Sequence, residues 1–275
     1  MKGGKRPLGY TIIEVMIVLA VSGVMFLIAA DFISGKQERT SFTEGVNEMA
    51  SRIQDTIQQV TSGQYSDIGL NCSFTGSSTS VFSGTNPQGT NSTCIFLGKL
   101  IHFSEHDAAG GSHNYETFSL AGGLVNPTVS TPVTLSNVYP AAIDPSLTTQ
   151  QTIAQRLDVV TGMKVTPFVG SPPVPGPPVT NYSIGFIQNL GASTGAGSFQ
   201  SGGQTISMVY GRTLSTPGMT ESAAASALNS NIDYAQKAQI CLTDGTQTAE
   251  LIIGTNNNQF SVDVKQLGTG VVGCP

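Results

Sequence analysis

The hydrophobic positions of this chain change their rhythm twice. From Val15 to Ala30 they run without a break except at Ser22-Gly23. With its flanks, this run is as long as the roughly 20 mostly apolar residues that one helix needs to cross a bilayer. From Phe42 onward they thin to a stripe, in which Phe42, Val46, Met49, Ile53, Ile57 and Val60 recur at spacings of three and four, with Glu44, Asn47, Glu48, Arg52 and Gln54 among the residues between them. That pattern predicts a helix with one apolar face and one wet face, ending near Ser62-Gly63. Gly35 and Gly45 each lower helix propensity by about 1 kcal/mol relative to Ala, so a bend near either, or a break near Ser34-Gly35, stays open at this level.

Beyond Gly63 the period moves toward two. The stretch from Gly63 to Thr93 is Ser, Thr, Gly and Asn with few apolar anchors, and reads as a long loop. Strands are expected at Cys94 to Phe103, Tyr115 to Leu120, Val133 to Tyr139, Tyr182 to Gln188 and Thr205 to Tyr210. Ile153 to Val165 reads either as a strand pair turning near Thr161-Gly162 or as a short helix followed by a strand. Pro167 to Pro178, PFVGSPPVPGPP, argues against regular structure, because proline removes a donor and fixes φ. Gly191 to Gly203 reads as an irregular elaboration; no G-K-[ST] follows it, so it is no phosphate loop. Thr220 to Asn229 predicts a short helix with Thr220 or its neighbour as cap. Ala238 to Leu242, Thr248 to Ile253 and Phe260 to Val264 are separated by Asp244-Gly245 and by Gly254 with Asn256 to Asn258, which predicts an antiparallel meander.

Ahead of Tyr10 stand nine residues, MKGGKRPLG, with Lys2, Lys5 and Arg6 and no acid. Basic residues stay on the cytoplasmic side, so this leader is expected inside and the bulk of the chain exported. Glu14, at the edge of the apolar run, needs an explanation, since an acid at mid-membrane costs about 2.5–3.5 kcal/mol and somewhat less near an end. An interfacial position or the positive end of the helix dipole offsets part of that cost. A cationic partner offsets more. Cutting between Gly9 and Tyr10 would create one, the Tyr10 amine, one helical turn before Glu14 and available to the same helix or to a neighbouring copy.

Gly9-Tyr10-Thr11-Ile12-Ile13-Glu14 followed by an apolar helix resembles the cleavage and methylation motif of type IV pilins and type II secretion pseudopilins. The resemblance implies that a prepilin peptidase cuts after Gly9 and methylates the new N-terminus at Tyr10, and that Glu14 is the assembly carboxylate. It implies an α+β fold: a long N-terminal helix, membrane-spanning in its first half and amphipathic in its second, packed on an antiparallel β-sheet with long Gly/Ser/Pro-rich loops. The chain then divides into a leader (1–9), a transmembrane and filament-core helix (10–33), an amphipathic half (34–62) and an exported β-rich domain (63–275). Two departures stand out. Tyr10 occupies a position that is usually Phe, and Asp31 one where many major pilins have Pro; Gly23 falls where many relatives have Gly. The partners implied are other pilin or pseudopilin subunits through the helix, the prepilin peptidase, a membrane assembly platform, and the lipid bilayer before assembly. The implied location is a single-pass cytoplasmic (inner) membrane protein, later part of a surface pilus or periplasmic pseudopilus.

Charge narrows the function further. Only 11% of residues are charged, and loss of the leader's three basic residues takes the formal net charge from −5 to −8. With no basic cluster outside the leader, nucleic acid is not an expected partner. The four cysteines, Cys72 with Cys94 and Cys241 with Cys274, lie at loop-sized spacing and contain no CxxC. In an exported domain this most simply means two disulfides, with crossed pairing left open; by resemblance, the second pair bounds the C-terminal loop. His102, Glu105, His106, Asp107 and His113 form the one dense group of possible ligands or acid–base residues, in a glycine-rich segment that reads as a solvated hairpin tip rather than a metal site. Asp244 and Asp263 are weaker candidates for calcium. No nucleophile motif, catalytic pair or cofactor motif stands out, so an enzyme is not expected and neither is a cofactor. The expectation is a structural subunit, minor rather than major because 266 mature residues exceed a typical major pilin. The alternative is a low-copy adhesin or substrate-binding subunit using enlarged loops.

Overall fold

A computed structural model describes residues 11–63, 69–75, 78–84, 94–106, 111–122, 140–144, 147, 155–156, 162–171, 179–188, 198–201, 204–211, 219–228, 232–235, 237–256 and 259–269. The fold is α+β, a long N-terminal helix and a large antiparallel sheet. Helix α1 runs Ile12–Thr61 as a single helix of 50 residues, so neither Gly35 nor Gly45 ends it. It stops where Ser62 caps it and Gly63 takes φ 67°, a left-handed conformation that glycine adopts without a Cβ penalty. Over its C-terminal half the predicted stripe is the buried one: Phe42, Val46, Met49, Ile53, Ile57 and Val60 all lie in the main core.

The strands are β1 Leu70–Thr75, β2 Ser78–Ser83, β3 Ile95–His106, β4 Ser112–Gly122, β5 Ala141–Ala142, β6 Gln155–Arg156, β7 Lys164–Ser171, β8 Val179–Asn181, β9 Ser183–Gln188, β10 Ser198–Ser201, β11 Gln204–Gly211, β12 Ile232–Ala235, β13 Lys237–Thr243, β14 Gln247–Asn256 and β15 Gln259–Thr269, with helix α2 at Glu221–Leu228 between β11 and β12. Apart from a β1–β2 hairpin they form one sheet in the order β5-β4-β3-β9-β11-β10-β15-β14-β13-β7-β8, with β6 added on β4 and β12 on β11. Its path also returns on itself, because β4 bridges β7 at Ser112 and Val165. Among the described residues both joints between its two halves are single bridges: this one, and a parallel one from Gln200 to Gln259.

One face of the sheet wraps the apolar stripe of α1. Ile101 and Phe103 from β3, Ile184 and Phe186 from β9, Met208 from β11, Ile240 and Leu242 from β13, and Leu251 and Ile253 from β14 share a core with it. On the opposite face of β3, β4, β9 and β11, α2 lays Ala224, Ala225 and Leu228 over Leu100, Phe118, Leu120, Ile187 and Val209. Thr220 caps α2, its Oγ1 accepting from the N–H of Ala223 at 3.3 Å. Strand β3 sits in the middle of these layers, and Gly98 marks its tightest approach. A Cβ there would stand 1.9 Å from the Phe186 carbonyl oxygen of β9, so glycine is required by proximity.

Several sequence expectations change here. Gly63 to Thr93 is not wholly loop, since β1 and β2 pair from Leu70 opposite Ser83 to Thr75 opposite Ser78. An isolated hairpin is marginal, and its anchors come from elsewhere: Leu70 packs on Cys94, Ala121 and Ile143, and Cys72 is bonded to Cys94. Pro167 lies inside β7. It is accommodated because the β7–β13 register slips there: Thr166 faces Cys241 and Val169 faces Gln239, so two residues of β7 oppose one of β13. A bulge is the place where a sheet tolerates a residue without an N–H. Part of Gly191 to Gly203 is strand β10, whereas Val133 to Tyr139 and Pro172 to Pro178 lie outside the described residues. Of the alternatives for Ile153 to Val165, the described residues give a short strand, β6, and the start of β7 after Gly162. The C-terminal meander is present, with β13–β14 and β14–β15 antiparallel.

Candidate assembly site

The first turn of α1 is built by its own side chains. Thr11 is the N-cap, with extended backbone at φ −78° and ψ 150°. Its Oγ1 accepts from the N–H of Glu14 at 3.3 Å, and the Glu14 Oε2 accepts from the N–H of Thr11 at 3.4 Å. This reciprocal pair is a capping box, and it satisfies two of the donors that every helix start leaves open. Glu14 therefore has a local role in the uncut chain, at the end of the helix where a negative charge is favoured. Thr11 is the residue that sequence reasoning passed over, although the signal was present: Thr11-Ile12-Ile13-Glu14 has the spacing of a capping box.

Above this turn every described side chain as far as Asp31 is exposed, with Ile12 at 81%, Phe26 at 73% and Leu27 at 69%. The apolar residues surround the helix rather than forming a stripe, so the domain could not cover them by docking one face. From Ile12 to Asp31 the helix extends about 30 Å, the thickness of a bilayer core. It is the one helix among the described residues long and apolar enough to cross a membrane. Such a surface needs lipid or other apolar helices around it. Gly9 and Tyr10, the expected cleavage and methylation positions, lie outside the described residues.

The domain is fastened to the other half of the same helix by polar contacts as well as by its core. Gln59 links two elements, donating to Asp55 at 2.7 Å on α1 and accepting from the Lys99 ammonium of β3. Burial holds Lys99 below the usual lysine pKa, and the nearby Asp55 carboxylate opposes that shift. Gln266 of β15 donates to the Thr43 hydroxyl at 3.1 Å. Cys72 and Cys94 form a disulfide. Cys241 is disulfide-bonded as well, while Cys274 lies outside the described residues.

Two of the three histidines do not lie in a solvated hairpin tip. His102 is fully buried in β3, facing the α2 side of the sheet between Glu116 of β4 and Ser183 of β9. Its Nδ1 shares a hydrogen bond of 2.7 Å with the Ser183 hydroxyl, and its ring lies 6.1 Å from that of Phe118. His113 is half-buried and bonded at 3.1 Å to the Met163 carbonyl. The sheet explains the miss: β3 stays paired with β4 as far as His106 opposite Ser112, so His102 lies four residues inside the strand rather than at its turn. Asp107 lies outside the described residues, and no group of three or more metal-ligating side chains occurs among the described ones. Ser183→Ala is expected to lower stability by about 1–3 kcal/mol, because a buried imidazole nitrogen loses its partner; urea unfolding of the detergent-solubilised chain measures this.

The calcium candidates are also apart. Asp244 closes the β13–β14 turn, accepting from Thr246 N and Oγ1 and from Gln247 N at 2.6–2.9 Å. Burial pushes its pKa up, but these bonds outweigh burial and leave it below the ordinary aspartate value. Asp263 faces Ile252, and Gln247 at the foot of β14 is five residues away, or about 16 Å along a strand.

Residues 4–30 match the family described as the prokaryotic N-terminal methylation motif, the prepilin-type cleavage and methylation motif of type IV pilins and pseudopilins. No curated protein and no solved structure matches the chain. The N-terminal segment is thus pilin-like, and the motif marks a structural rather than a catalytic family.

Proposed function

We propose that the protein is a structural subunit of a type IV pilus or type II secretion pseudopilus, cut after Gly9 by a prepilin peptidase, N-methylated at Tyr10 and assembled through α1. The observation that carries this reading is the all-round apolar surface from Ile12 to Ala30, continuous with a helix whose second half is the core of the domain. A signal anchor needs only the first half. A filament subunit needs both in one rigid rod, because the rod transfers its apolar half from lipid to neighbouring subunits while the domain rides on the other half. Until assembly, the chain spans the cytoplasmic membrane once, leader inside and domain exported. The domain serves as an outward-facing coat and carries out no chemistry.

Intact mass and N-terminal sequence, taken from cells with and without the prepilin peptidase, test this. The expected product is a chain beginning at N-methylated Tyr10, present in the sheared surface fraction only when the peptidase is present. A chain that keeps Met1 in the presence of the peptidase overturns the reading.

A further inference from the structure

Helix α1 carries an uncovered face along the domain. At about 100° per residue, Glu44, Glu48 and Asp55 fall on one line, opposite the buried line of Phe42, Val46, Met49 and Ile53, and all three are exposed. The Glu48–Arg52 pair at 3.4 Å is itself exposed and holds these side chains only weakly. Nearer the N-terminus stand Lys36 and Arg39, both exposed. Arg39 precedes Phe42 by one turn, on the side of the helix that the domain covers higher up. Glu38 stands between the two cations in sequence but turns to another side of the helix. The helix is therefore positive on one side at the base of the domain and negative on the other side higher up.

We infer that this charge order is a contact between copies of this chain, Lys36 and Arg39 of one copy lying against Glu44 and Glu48 of the next. The two patches become level when parallel helices are displaced along their axis by about 13 Å, the rise of eight to nine residues. The patches differ, so the contact is heterologous; with an axial displacement it cannot close into a ring and instead propagates as a helix. The basic patch of the last copy added, the one nearest the membrane, stays open for the next. This contact rests on the pilin-type reading, which supplies the parallel helices. It departs from the low-copy expectation, which concerned the bulk of the domain's loops. A domain that wraps one side of α1 and leaves the other bare leaves room for a neighbouring helix.

The test uses the full chain in cells with the peptidase, read as the amount of mature protein in the sheared fraction and by intact mass. Glu44→Lys with Glu48→Lys, and separately Lys36→Glu with Arg39→Glu, are each expected to lower the sheared fraction by about ten-fold or more, since each places like charges together. All four substitutions combined restore the pairing with its sign reversed and are expected to recover most of that loss. Because the positions are exposed, thermal unfolding of the solubilised variants is expected to stay unchanged. Undiminished assembly of either double variant, with the chain correctly cut at Tyr10, overturns the contact and leaves the pilin-type reading in place. A combined variant that unfolds normally but assembles no better than the doubles also overturns it. A wild-type chain left uncut overturns the reading, and the contact with it.

Discussion

Ile53→Asp is expected to unfold the domain, while Gln54→Asp, one residue along, is expected to leave stability within about 0.5 kcal/mol of the original. Ile53 has no exposed surface and sits in the core shared by α1 and both halves of the sheet, whereas Gln54 is on the wet face. Truncation alone, Ile53→Ala, removes buried methyl groups and leaves a cavity, for about 2–5 kcal/mol. Aspartate adds a carboxyl group with no hydrogen-bonding partner in an apolar site, a further penalty of several kcal/mol whether it is buried charged or forced to keep its proton. A domain of this size has about 5–15 kcal/mol to lose. The effect is amplified by topology. The two halves of the sheet meet at only two described bridges, so the helix core is what chiefly holds them together. Urea unfolding of the detergent-solubilised chain measures all three variants. An Ile53→Asp chain that unfolds with the original midpoint contradicts the placement of α1 in the core.

Glu14→Gln is expected to lower the amount of protein in the sheared fraction by about ten-fold or more, with cleavage after Gly9 intact. The choice of Gln separates two roles. In the uncut chain Glu14 completes a capping box with Thr11, and glutamine serves in a capping box as well as glutamate does. A purely local role therefore predicts that Gln is tolerated and that Ala costs about 0.5–2 kcal/mol of helix stability. A role for the charge, opposite the Tyr10 amine that cleavage would create, predicts that Gln fails nearly as badly as Ala. Normal assembly of Glu14→Gln together with a defect in Glu14→Ala assigns the residue to capping alone. Thr11→Ala gives the reciprocal reading: it removes the other half of the box and keeps the charge, so assembly is expected to survive.

The difference between what was legible and what was not follows the range of the interactions. The stripe from Phe42 to Val60 was readable because a helix places residues three and four apart on one face whatever surrounds it. The meander was readable because Asp244-Gly245 fixes a turn locally, and the capping box because its partners are three residues apart. His102 was misplaced because its surroundings come from Ser183 and Phe118, on two other strands. Pro167 was misread because the bulge that accommodates it belongs to a pairing with β13, over seventy residues later. The hairpin of β1 and β2 has too few apolar residues to declare itself and rests on Cys94, Ala121 and Ile143.

By itself the sequence determined the apolar segment, the amphipathic half of α1, the acid at the start of the helix and the positions of most strands, since each follows from periodicity or from neighbours a few residues away. Only the tertiary structure decided that both halves of α1 are one unbroken helix and that two halves of a sheet close around it. Those outcomes depend on which surfaces meet, and a single helix or strand buries too little apolar area to choose its partner alone.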